Sequence, residues 1–144
     1  MAGKTRIKNK NRNIFWICFF VVYLGVCTYF LFSTGDALPQ FKKNGLFVWL
    51  ASFLGVQPDK VLHSLLFIPI VPLAWAAVRP GWIVTKLFIL WSGFIFGVIT
   101  EVIQYYLPYR TGDITDVAAD IVGSVLGIPF LIFYYWKDKK SNSL

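Results

Sequence analysis

An all-α, polytopic membrane protein with four transmembrane helices is the fold this sequence predicts, and three observations predict it. Of its 144 residues, 57% are hydrophobic and only 15% are charged, with a mean hydropathy of +0.62. A soluble domain of this size could not hide that much apolar surface. Four apolar runs each approach the roughly 20 residues that cross a hydrocarbon core of about 30 Å. The 14 Lys and Arg residues gather mainly at the two chain ends. Their placement beside apolar runs reads as membrane topology, so the net charge of +7 does not point to nucleic acid.

The spans follow in order. Ile14–Phe32 contains no charge, Val61–Val78 lies between Lys60 and Arg79, Trp82–Tyr106 carries Lys86 and Glu101, and Val117–Trp136 carries Asp120. Trp and Tyr mark several ends, among them Trp82, Tyr105, Tyr106 and Trp136, as interfacial anchors do. Residues 1–13 read as a basic cytoplasmic tail without regular structure, 14–136 as one membrane domain, and 137–144 as a second cytoplasmic tail. Lys4, Arg6, Lys8, Lys10 and Arg12 resemble the start of a signal peptide. The apolar stretch behind them exceeds the usual ~7–15 residues and no small-residue cleavage site follows, so a retained helix is expected.

With both termini inside, ten basic residues lie on the inner face and four (Lys42, Lys43, Lys60 and Arg110) on the outer face. That bias sets the orientation. The connection 36–58 is the longest. Its apolar part, Gly45–Gly55, is too short to cross and reads as an interfacial or re-entrant helix. Arg79-Pro80-Gly81 is a tight turn that makes spans two and three antiparallel neighbours. Cys18 and Cys27 sit about 13 Å apart along one helix and cannot pair.

Six of the seven acids, Asp36, Asp59, Glu101, Asp113, Asp116 and Asp120, then fall on the outer side, leaving Asp138 inside. Carboxylates near hydrocarbon are costly, about 2.5–3.5 kcal/mol at mid-helix, so they mark a partner or a task. Gly93, Gly97, Glu101 and Gln104 share one face of span three, and Asp116, Asp120, Gly123 and Gly127 share one face of span four. Two small-xxx-small stripes thus run outward into carboxylates. The expectation is that spans three and four pack through glycine and open into an acidic pocket. Asp59, Lys60 and His63, the single histidine, enter at the same level from span two, and Arg110 enters from the loop.

Blander readings stand beside these. Asp59 follows Pro58 and reads equally as a helix cap. Asp113-x-x-Asp116 is close to a capping box. Arg110 could neutralise acids or meet lipid headgroups. Glu101 and Asp120 lie inside helices, where capping does not explain them, and a structural ion pair with Arg110 or Lys60 is their alternative.

The pattern Asp59-Lys60-x-x-His63-x-x-x-Phe67, Glu101-x-x-Gln104, Arg110, Asp113 or Asp116, and a glycine-rich last helix resembles the VanZ-like family of bacterial membrane proteins. The resemblance covers 58–131 and implies a multi-pass protein of the bacterial inner membrane. The family often has Asn where this chain has Asp120. The namesake is associated with resistance to teicoplanin-type glycopeptides, which makes an effect on glycopeptide susceptibility an expectation by analogy.

Three functions compete. The first is an enzyme acting on an envelope lipid or lipid-linked glycan, with Glu101, Asp116, Asp120 and His63 as acid–base groups. Asp59, Lys60, Gln104, Arg110 and Asp113 would bind its substrate. His63, Glu101, Asp116 and Asp120 are also a candidate ligand set for a divalent metal ion. No nucleophile motif and no H-E-x-x-H accompany them. The second is a non-catalytic binder of an envelope lipid, peptide stem or partner membrane protein, with Gly45–Gly55 as its lid. The third, ranked lowest, is a proton-coupled transporter. No nucleic-acid partner is expected.

Overall fold

A computed structural model describes residues 2–33, 45–79, 81–110 and 112–141, and side chains within these ranges from 13 to 133. Asp36, Lys42, Lys43 and Pro80 lie outside the described residues. Among the described residues every regular element is an α-helix. The helices are α1 (Ala2–Phe32), α2 (Gly45–Leu54), α3 (Pro58–Phe67), α4 (Ile70–Val78), α5 (Ile83–Tyr106) and α6 (Ile114–Ser141). Four segments are long and apolar enough to cross a membrane: Asn13–Phe32, Pro58–Val78, Ile83–Tyr106 and Ile114–Phe133. The short apolar helix expected between the first two is α2.

Two boundaries differ from expectation at the basic ends. Helix α1 begins at Ala2, so the stretch expected to lack regular structure continues the first helix. Helix nucleation is the costly step. Once the apolar run supplies a nucleus, Lys and Arg extend it at little cost. Helix α6 runs on to Ser141 for the same reason.

The second span is broken into α3 and α4. Pro69 has no N–H, so the carbonyl one turn before it loses its helical donor. The main-chain oxygen of Leu66, next to the break, is reached from α1: the Tyr23 hydroxyl donates to it at 2.7 Å and the Cys27 thiol lies 3.7 Å away. Beside it, Cys27, Leu31, Phe67 and Ile70 form one buried cluster, while Val71, Ala74, Ile89 and Leu131 form a second. Large apolar side chains such as Phe88 and Phe130 point outward, as a lipid-facing surface requires.

Glycine sets the closest approaches, but not entirely as the stripes predict. Gly93 faces Ser124 and Gly97 faces Asp120, so α5 does meet α6 through glycine. Gly123 and Gly127 face the carbonyl oxygens of Ser64 and Ile68 instead. The second stripe therefore seats α6 on α3 and not on α5. A helix with 3.6 residues per turn turns residues 120 and 123 toward different neighbours once three helices surround it. Helix α2 packs on α3.

Candidate functional site

The end of α1, the start of α3, the end of α5 and the start of α6 converge. Gln57 stands at the N-cap position of α3 without a side-chain capping bond, and Pro58 occupies its first turn, where a missing N–H costs nothing. Two turns of α3 then carry Lys60 and His63 toward α6. The Lys60 ammonium donates to Asp116 Oδ1 at 2.8 Å and to Asp113 Oδ2 at 2.9 Å. One turn deeper, His63 Nδ1 lies 3.0 Å from Asp120 Oδ1. Asp120 is fully buried. With Asp120 ionised and the imidazole neutral, Nδ1 would donate to the carboxylate and Nε2 would present its lone pair. That nitrogen faces Asp116 Oδ2 at 3.8 Å.

Asp113 starts α6. Its Oδ1 accepts the Thr115 N–H at 2.9 Å, an N-cap contact. Its own N–H donates to Glu101 Oε2 at 2.8 Å. In a capping box the acid three residues later performs that second task. Here Glu101 of α5 takes it over, leaving Asp116 for Lys60. Lys60 first, then the Thr115 contacts, hold the Asp113 carboxyl well below the usual carboxylate range.

The remaining expected site residues sit differently. Gln104 is buried and its side-chain amide donates to Leu31 O at 2.8 Å. Arg110 donates to Ser33 O at 2.8 Å. Both tie the end of α1 to α5 and the loop after it, where a cation also complements the helix dipole. Among the described residues neither Arg110 nor Lys60 pairs with Glu101 or Asp120, so the expected structural ion pair is not formed. Asp59 lies in the first turn of α3 but is not its cap; it accepts only the N–H of Lys60, at 3.1 Å. No hydrogen bond or ion pair joins it to the cluster.

Two supporting hydroxyls went unread in the sequence. Ser64 donates to Ala119 O at 2.9 Å, stitching α3 to α6 beside His63. Ser124 donates to Asp120 O at 2.9 Å. Their signal was position: each lies on the face that carries the charged residues.

Two cavities flank the cluster. One, of about 810 Å³, runs between α2, α3 and α6; Lys60, Gln57 and Thr115 are polar members of a lining otherwise dominated by Leu50, Leu65 and Leu126. A smaller one, of about 280 Å³, lies between α5 and α6 against Glu101 and Asp113. His63, Asp116 and Asp120 line neither of these two.

Fold and site together define a polytopic helical membrane protein that gathers Glu101, Asp113, Asp116, Asp120 and His63 at one end of the bundle. The chain belongs to the VanZ/LLP1 family, whose model matches residues 4–137. No curated protein and no solved structure matches it.

Proposed function

We propose that the protein binds an envelope lipid or lipid-linked glycan at the outer face of the bacterial inner membrane, with Lys60 meeting the polar headgroup and the α2–α3–α6 groove receiving an acyl chain. The observation that carries this reading is the groove itself: a long apolar trough with a lysine among its few polar groups. An ammonium has three donors. Asp113 and Asp116 take two, which leaves one for a phosphate or sugar oxygen. The outer location rests on the Lys/Arg bias. An effect on susceptibility to teicoplanin-type glycopeptides belongs to the same reading, through altered handling of envelope precursors, and is checked by growth inhibition with and without the protein.

Ala118 lines the groove, is exposed, and takes part in none of the charged contacts. The gently solubilised protein should carry a defined lipid by mass spectrometry, and Ala118→Phe should lose it. A wild type that carries no lipid, or a variant that carries the same amount, removes the proposal.

Catalysis on that lipid is the second reading. It is favoured by the His63–Asp120 contact, which holds an imidazole as an orienting carboxylate holds a general base. Glu101→Gln and Asp120→Asn should then abolish turnover of lipid-linked substrates in folded protein. Binding ranks first because His63 and Asp120 open onto neither cavity.

A further inference from the structure

We propose that His63, Glu101 and Asp116 hold a divalent transition ion, zinc or manganese, with Asp120 as the carboxylate that orients the histidine.

A ring nitrogen of His63 and one carboxylate oxygen each from Glu101 and Asp116 lie within 4.8 Å of one another. They come from three different helices and all three residues are buried. At ligand bonds of about 2.0–2.2 Å, two ligands on a tetrahedral ion stand roughly 3.3–3.5 Å apart. The 3.8 Å between His63 Nε2 and Asp116 Oδ2 is too long for a hydrogen bond and needs only a small closure to share an ion.

Two further observations point to a ligand independently of the cluster. Glu101 is 8% exposed, and among the described residues its Oε1 is out of contact with solvent and has no hydrogen-bond partner. A buried ionised oxygen left so is costly. The histidine is also arranged as metal-bound histidines are. Its Nδ1 faces a fully buried carboxylate at 3.0 Å, which fixes the tautomer and aims Nε2 into the cluster.

Charge points the same way. Of the four carboxylates Glu101, Asp113, Asp116 and Asp120, only Asp113 and Asp116 pair with an ammonium among the described residues, that of Lys60, while Arg110 is turned to Ser33. With the carboxylates ionised, a divalent cation offsets two of the three excess negative charges. One imidazole nitrogen with carboxylate oxygens suits zinc or manganese better than calcium, which takes six to eight oxygens.

The site stands apart from the lipid groove, so the two fail separately. The full chain, purified in detergent and stripped with chelator, is titrated with Zn²⁺ and with Mn²⁺. Calorimetry and elemental analysis count the ions, and thermal unfolding reads the stabilisation. One ion per chain and a raised Tm are expected. Glu101→Gln and Asp116→Asn should each weaken binding at least tenfold, and Asp120→Asn by about 10–100-fold. Ala118→Phe should leave the affinity unchanged. A stripped wild type that takes up neither ion, or Asp116→Asn and Glu101→Gln proteins that bind as tightly as wild type, overturns the site. Should one variant not fold, the other decides.

Discussion

Gly123→Ala probes the contact on which the site geometry depends. A Cβ at 123 would collide with the Ser64 carbonyl oxygen and come within 2.9 Å of both the Ser64 carbonyl carbon and Phe67 Cβ. Main-chain atoms cannot rotate away, so α3 and α6 must separate. Overpacking of this kind costs about 1–3 kcal/mol, and a rigid partner places it in the upper half of that range. Alanine also returns about 0.8–1.0 kcal/mol of helix propensity. Gly25→Ala is the control that isolates the steric part, because position 25 has nothing within 4 Å. Propensity cancels between the two, leaving a difference of about 2–3 kcal/mol. Gly93→Ala should also be less stable than Gly25→Ala, since the Ser124 hydroxyl in its way can turn but the Ser124 Cβ at 2.6 Å cannot, so α5 and α6 must shift apart. Reversible unfolding in mixed micelles measures all three. Equal stability of the Gly123→Ala and Gly25→Ala proteins would refute the close α3–α6 contact, and with it the registration of His63 on Asp120.

Two further outcomes follow from single contacts. Asp113 has a folded-state pKa below the ordinary carboxylate value of about 3.9. Its contribution is therefore complete above that value and is lost only as pH falls through the lower folded-state value. Thermal unfolding of wild type and Asp113→Asn across acidic pH should show a wild-type advantage that is steady near neutrality and shrinks only below pH ~4; an advantage that grows on acidification would contradict the Lys60 pairing. Gln104→Leu strands the Leu31 carbonyl inside the bundle, which should cost about 1–3 kcal/mol in the same micelle assay. Unchanged stability there would show that Gln104 does not anchor α1.

Much of this architecture was legible in the sequence because hydropathy reports spans directly. Ile14–Phe32 and Trp82–Tyr106 match the spanning segments to within one residue at each end. The second span shows what hydropathy misses. Val61–Val78 is apolar throughout, and the break at Ile68–Pro69 leaves no trace in it; only the Pro69 backbone, without a donor, forces it. The charged cluster was legible in part. Helical spacing put Asp116 and Asp120 on one face and Glu101 on the face of Gly97, and His63 stands at the same depth. Spacing gives a direction around one helix, however, and does not name the neighbour met there. Gly123 therefore went to α3 when α5 was expected, and Gln104 and Arg110 turned to the end of α1 when a pocket was expected. Asp59 shows the limit most clearly: it is four residues before His63, yet among the described residues its one side-chain hydrogen bond is to the adjacent main chain.

The start of α6 ties the stability of the bundle to the chemistry at its end. A helix that begins with Asp113 and has an acid at 116 can close its own capping box, and then Asp116 faces inward along its own turn. Glu101 prevents this by accepting the Asp113 N–H from across the helix interface. Asp116 is released to Lys60 on one oxygen and to the His63 side on the other. Capping is thus shared between α5 and α6, and the polar groups of three helices hold one another in register through main-chain and side-chain bonds at once. A change at Glu101 consequently acts on two levels. It loosens the first turn of α6, and it frees Asp116 to fold back onto Asp113, dispersing the cluster. Glutamine at 101 keeps an acceptor for the Asp113 N–H and separates the two effects: it preserves the shared cap while removing the charge. Alanine at 101 removes both, so the gap in stability between Glu101→Ala and Glu101→Gln measures the cap, about 0.5–1.5 kcal/mol for a hydrogen bond to a neutral acceptor. What Glu101→Gln alone loses in ion or ligand binding measures the charge.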